Sequence, residues 1–284
     1  MKVSKIFGSI LSILMFMAVA VSAQTDVISA QEFMDLRKSS DDLVILDANT
    51  SKNYNAAHIK DALFVNHNDL YKKGDIAGII QSPRVLAAYF GKLGITKTTP
   101  VVVTDDGSQK YNARVYWILK YLGAENVKLL HKDMGDWRKA RVPLTSTPGK
   151  ATPATFVASV NPAILADLAY VKANKDKGNV MMIDCRTADE YSGAASNSDG
   201  HIPGAININY VDLLTANGAF KSKAELTAIA KKYGITADTE LILYCRTSVR
   251  ATPAYVAFKN ILGYDKVKVY DGAYLEWSAN YPVQ

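Results

Sequence analysis

The sequence predicts an α/β protein made of two tandem domains, each a mainly parallel sheet flanked by helices. Three observations carry this reading. The chain repeats itself, short apolar runs alternate with helical periods inside each copy, and a stretch rich in Thr, Pro and Ala separates the copies.

A shift of 140 positions lays "VVVTDDGSQKYNARVYWILKYLGAENVKLL" (101–130) on "LILYCRTSVRATPAYVAFKNILGYDKVKVY" (241–270) without a gap. Gly123 meets Gly263, and Trp137 meets Trp277. Upstream, "LVILDANTSKNYNAAHIKDALFV" (43–65) resembles "VMMIDCRTADEYSGAASNSDGHIPGAINI" (180–208), so Asp47 pairs with Asp184 and His58 with His201. The second copy carries an insertion near 192–200. Domains are expected at 24–144 and 156–284, joined by the linker "TSTPGKATPAT" (145–155). The runs "VVVT", "MMID", "LILY" and "KVKVY" read as strands, buried on both faces where apolar throughout. "KAELTAIAKKYGI" reads as a helix that stops at Gly234. Pro253 suits the first turn of another helix, which should stop at Gly263.

The chain has 284 residues, 49% hydrophobic and 21% charged, which fits folded domains with real cores and excludes a disordered chain. Residues 1–23 form a separate segment. Lys2 and Lys5 precede an apolar run that ends in Val21-Ser22-Ala23, the build of a secretory signal peptide cut before Gln24. The protein is therefore expected to be exported, to a periplasm first and to the cell exterior second. No later run is apolar enough to span a membrane, so no membrane association is expected after cleavage. The net charge of +6 falls to +4 without the two leader lysines. With no Lys/Arg-rich run, nucleic acid is not an expected partner, while a mild positive field favours small anions.

Two cysteines exist, Cys185 and Cys245. Cys245 follows an apolar strand, and residues 245–250 bridge that strand to a helix N-terminus. Backbone N–H groups in such a loop can form an anion nest, the helix end adds partial positive charge, and Arg246 and Arg250 add full charges. All three favour a thiolate, so Cys245 reads as a nucleophile whose pocket also receives an anion. The four histidines are scattered and no Cys/His pair has ligand spacing, so no metal site is expected.

In the second copy "IDCRTADEYSG", "GHIPGAININ", "YCRTSVRA" and "VYDGAYLEW" occur in this order. With them the chain resembles a two-domain rhodanese, a thiosulfate sulfurtransferase. The resemblance implies a catalytic second domain and a degenerate first one. Asp105 stands at the position of Cys245, and a carboxylate cannot form a persulfide. It also implies covalent catalysis: Cys245 takes the sulfane sulfur of thiosulfate, sulfite leaves, and cyanide or a thiol accepts the sulfur from the persulfide. The loop residues Arg246, Thr247, Ser248, Val249 and Arg250 would hold the donor, with Arg186 either a second-tier contact or a salt-bridge partner of Asp184 or Glu190, and no metal, nucleotide or organic cofactor would be required. Asp184, Glu190 and His201 are supporting candidates, His201 as packing or capping. Cys185 could trap an oxidised Cys245 as a disulfide, or be a small buried side chain.

Two departures from the family pattern concern the loop. Ser248 stands where many relatives have glycine, and Arg250 where two-domain members carry a hydroxyl residue. The basic loop favours thiosulfate over 3-mercaptopyruvate. An arginine-assisted cysteine phosphatase needs a longer loop than the four residues between Cys245 and Arg250. A persulfide carrier without turnover is a further alternative. The absence of a Cys-x-x-Cys pair argues against a thiol–disulfide oxidoreductase.

Overall fold

The computed structural model describes residues 25–284; the expected leader over 1–23 and its expected cleavage point lie outside the described residues. The first half contains strands β1 (Val27–Ile28), β2 (Val44–Asp47), β3 (His58–Ile59), β4 (Leu63–Phe64), β5 (Val101–Thr104), β6 (Val127–Leu130) and β7 (Leu144–Thr145). Its helices are α1 (Ala30–Ser39), α2 (Ser51–Ala56), α3 (Pro83–Lys92), α4 (Lys110–Tyr121) and α5 (Met134–Ala140). The second half contains β8 (Leu165–Ala166), β9 (Val180–Asp184), β10 (Ile206–Asn207), β11 (Glu240–Tyr244) and β12 (Val267–Tyr270). Its helices are α6 (Leu168–Asn174), α7 (Ala188–Ser192), α8 (Lys223–Lys232), α9 (Ala251–Tyr255) and α10 (Ala273–Asn280).

Each half forms a five-stranded sheet in which every pairing is parallel. The orders β1-β6-β5-β2-β4 and β8-β12-β11-β9-β10 are the same order of equivalent strands. The internal repeat is thus a repeat of topology. β5 is buried at every position and β11 at all but its first, which is why both read as apolar runs without alternation. Reciprocal Ser/Thr–Glu caps start α1 (Ser29, Glu32), α7 (Thr187, Glu190) and α8 (Ser222, Glu225). Gly234, at φ +69°, ends α8 as expected. The helix after Cys245 continues from α9 through π-type turns at Val256–Ile261 before Gly263, at φ +82°, ends it.

The halves meet through α4 and α9, the helices that follow the two central strands. Residues 112–119 of α4 and all of α9 are buried, as a helix enclosed on every side must be. One apolar core therefore runs through both halves, from Leu46, Trp117 and Phe156 to Ile183, Leu243 and Phe258. The connecting chain lies along the first half: the backbone N–H groups of Ala154, Ser159 and Asn161 donate to Gly91, Leu122 and Tyr121 at 2.8–2.9 Å.

Two hairpins cross between the halves in opposite directions. Tyr71 bridges to Ile80 in the first, and Leu214 to Phe220 in the second. At the first tip Gly78 has φ +92°, and a Cβ there would lie 2.6 Å from the Thr247 carbonyl oxygen. At the second tip Gly218 has φ +83°, and a Cβ would lie 2.5 Å from the Gly107 carbonyl oxygen. Only glycine fits either approach. Each half thus covers the loop after the other half's central strand. Arg114 of α4 anchors the first hairpin, donating to the Gly78 carbonyl at 2.9 Å and to Asp271 Oδ1 at 2.6 Å. Asp271 Oδ2 in turn accepts from the Ile80 N–H at 2.9 Å.

Candidate active site

β11 delivers Cys245 to the carboxyl end of the second sheet, where ligands of open α/β sheets bind. The side chain is 1% exposed and faces the core shared by both halves. The Arg250 N–H donates to Sγ at 3.3 Å, so the loop closes over the sulfur. The first turn of α10 holds the loop from behind, with Tyr274 N donating to the Cys245 carbonyl at 2.9 Å and Leu275 N to that of Arg246 at 3.3 Å. Arg246, Thr247, Val249 and Arg250 are each partly exposed and frame the mouth.

Ser248 adopts φ +63°, the left-handed conformation that favours glycine. It is fully buried, and its hydroxyl donates to the Tyr270 carbonyl oxygen. That bond offsets the strain of a side chain at positive φ and ties the loop to β12. The serine keeps the tight turn.

Arg250 is held by Glu190: its two terminal nitrogens donate to the two carboxylate oxygens at 2.6 and 2.7 Å. Glu190 is in place because it caps its own helix, accepting also from the Thr187 N–H and hydroxyl. The Arg250 hydrogen bonds pull its pKa down from 4.5 to about 2. A carboxyl depressed in the fold contributes stability above pH 4.5 that is lost as pH falls toward 2. Glu190→Gln should therefore remove on the order of 2 kcal/mol at neutral pH, allowing for solvent at Arg250, and flatten that part of the acid limb. Chemical denaturation of both proteins between neutral and acid pH measures it.

Arg246 donates to the Asn197 carbonyl oxygen at 2.5 Å, so the insertion reaches the mouth. Its neighbour Ser198 accepts from Arg186 Nη1 at 2.9 Å. Of the two readings of Arg186, the structure displays the salt bridge to Asp184. Arg186 is fully buried, forks onto Asp184 at 2.6–3.0 Å, donates to the Gly200 carbonyl at 2.8 Å, and stacks on Tyr274 with its guanidinium carbon 4.0 Å from the ring centroid. Asp184 is the partner of that arginine. His201 stacks on Tyr191 at 3.8 Å and its backbone pairs with Gln284, so it packs the chain end; His58 stacks on Tyr54 in the same way.

Cys185 leaves β9 beside Cys245: Asp184 and Tyr244 are register partners, and Cys185 N donates to the Tyr244 carbonyl at 2.8 Å. Both cysteines are free and lie in the same core. Burial, followed by the charge of Cys245, pushes the Cys185 thiol well up, so it stays protonated at neutral pH and is a poor attacking group.

The first half's loop has the same place in its sheet but is filled. One Asp105 carboxylate oxygen accepts from Gly107 N at 2.8 Å, the other from Tyr111 N at 3.1 Å and Asn112 N at 3.4 Å. Its pKa is raised by burial and by Asp106. Nearby Asp47, the counterpart of Asp184, lacks an arginine because position 49 is asparagine. Burial raises its pKa to about 6.

The family model described as the rhodanese-like domain matches residues 29–140 and 167–280. This chain is a tandem rhodanese. It is 31% identical to bovine thiosulfate sulfurtransferase over 236 residues, covering 80% of this chain and 79% of that protein. It is 28% identical to mouse 3-mercaptopyruvate sulfurtransferase over 277 residues, covering 88% and 91%. Among solved structures, SseA of Escherichia coli, titled as a 3-mercaptopyruvate sulfotransferase, superposes with a TM-score of 0.79 at 24% identity, covering 88% of this chain and 99% of that one. A sulfurtransferase activity follows from membership, and the arrangement at Cys245 suits it. The Gly78 hairpin and the Arg114–Asp271 anchor behind this rhodanese's loop carry no sequence signal beyond Gly78 and Gly218 matching across the repeats.

Proposed function

We propose that the chain moves the sulfane sulfur of thiosulfate to cyanide or a thiol through a Cys245 persulfide. The first repeat's loop carries this reading. The Asp105 carboxylate extends from Cβ through Cγ to an oxygen held by backbone N–H groups. A cysteine persulfide extends likewise from Cβ through one sulfur to an anionic second sulfur. Asp105 therefore has the shape of the persulfide, set in the cradle equivalent to that of Cys245.

In the first step the Cys245 thiolate attacks the outer sulfur of thiosulfate. The new S–S bond takes its electron pair from Cys245, and the old S–S bond leaves its pair on sulfite. The terminal persulfide anion then rests on the loop N–H groups, a stabilisation by fixed dipoles. In the second step the acceptor attacks that terminal sulfur and Cys245 leaves as thiolate. Mass spectrometry of the protein with and without thiosulfate, beside Cys245→Ser, tests the first step. A gain of one sulfur atom on the Cys245 peptide, absent in the variant, is expected; no gain overturns it.

Because Glu190 neutralises Arg250, Arg246 is the loop's uncompensated cation. Arg246→Ala should lower kcat/KM for thiosulfate about tenfold, mostly through KM, as loss of one charged hydrogen bond does. The same neutralisation favours a second donor, the singly charged 3-mercaptopyruvate; comparing kcat/KM for the two donors ranks them. We also propose export, supported by the 1–23 segment; N-terminal sequencing of the mature protein should begin at Gln24.

A further inference from the structure

The first repeat holds a pocket that the second repeat fills with its own side chain. In the second repeat the Arg186 guanidinium lies on Asp184, on the Gly200 carbonyl and against the Tyr274 ring. The equivalent residues of the first repeat are Asp47, Ala57 and Met134, and all three line one cavity of about 220 Å³. No guanidinium reaches it from position 49. Asn49 reproduces the backbone of Arg186, its N–H donating to Asp47 Oδ1 at 3.0 Å as Arg186 N does to Asp184. Its side chain instead accepts from Thr50 N and Asn53 Nδ2.

Asp47 is 4% exposed, and among the described residues no cation stands within ion-pairing distance of it. A second orphan lies beside it. Thr104, its register partner, occupies the place of Tyr244, and the buried Thr104 hydroxyl has no partner. Where the second repeat has an arginine, a tyrosine and their hydrogen bonds, the first has a carboxylate without an ion-pair partner, an unpaired hydroxyl and space.

The structure assigns this cavity to a small cation with a guanidinium or amidinium head, seated on Asp47 as Arg186 is on Asp184. A planar head can form the two-pronged bond that the second repeat displays. The cavity leaves room for a short apolar stem against Trp137 and Leu144. Asp105 and His58 also line it, and Lys132 stands at its rim as the competing positive charge. The site is separate from the Cys245 loop and does not depend on the sulfur-transfer reading.

Titration calorimetry of the whole mature protein with methylguanidinium, agmatine and a blocked arginine peptide tests it, with methylammonium as the weaker control. Saturable binding of a guanidinium is expected at one site. Tighter binding of the two small compounds identifies a free metabolite-like ligand, and equal binding of the peptide identifies a protein side chain. Asp47→Asn should weaken binding at least about tenfold. Asn49→Arg should abolish it by supplying the head from within the chain, and Lys132→Met should strengthen it. Retained sulfur transfer shows that each variant is folded. No binding by the wild type at millimolar guanidinium, or binding untouched by Asp47→Asn, overturns the assignment.

Discussion

Cys245→Asp should give a folded protein that transfers no sulfur, with turnover down by at least about a thousandfold, the scale on which removal of a covalent nucleophile acts. The substitution copies the first repeat. There the aspartate sits 1% exposed in the same loop and finds backbone donors for both oxygens. The Cys245 loop offers the start of α9 in the equivalent place, and the Arg250 N–H besides. Stability should therefore survive where a buried carboxylate would ordinarily be costly. Thermal unfolding and a thiosulfate–cyanide assay on the same sample check both halves of the expectation. Loss of folding together with activity would show that the two cradles are not equivalent.

Arg114→Met should be the most destabilising single change at the junction of the halves. The Arg114–Asp271 pair is fully buried on the arginine side, and the guanidinium also stacks over Trp117 at 4.9 Å. Removing one partner of a buried pair strands the other, at a cost of about 3–5 kcal/mol. For a chain of this size that is a fall in Tm of roughly 10 °C. Methionine keeps the apolar stem, so the loss reports the charge. Adding Asp271→Asn should recover part of it, and a double-mutant cycle in denaturant measures how much. Because Asp271 also holds the Ile80 N–H, the single variant should loosen the hairpin over Thr247 and lower kcat as well.

The repeat made most of the fold legible. Two copies of strand–helix alternation gave the parallel sheets, and the place of Cys245 at a strand end gave the loop. Glu190 stood out in the sequence only as a supporting candidate, because its hold on Arg250 joins residues 60 positions apart and leaves no periodic trace. Arg186 stayed open between two readings because an Asp-x-Arg stretch at a strand end looks the same whether the arginine faces a ligand or folds back on its aspartate. The side chain that decides it, Ser198, comes from the insertion. Ser248 stood in the sequence only as a departure from glycine, because the Tyr270 carbonyl that receives its hydroxyl is contributed by another strand. Arg114 and Asp271, 157 positions apart, belong to different repeats and match neither other's counterpart, so alignment of the copies hides them.

The crossed hairpins give the protein the geometry of an isologous dimer written on one polypeptide. α4 against α9, and each glycine tip against the opposite loop, are the two sides of one self-complementary patch. In a dimer of identical chains, every substitution in that patch would strike both catalytic loops at once. Fusion into a single chain lifts that constraint, so one copy could trade its cysteine for an aspartate while its hairpin still served the other. The Asp105 half is thus half of the enclosure around the Cys245 loop, and the second domain cut free at residue 161 should expose the α9 face and self-associate, which sedimentation would record as a dimer or larger.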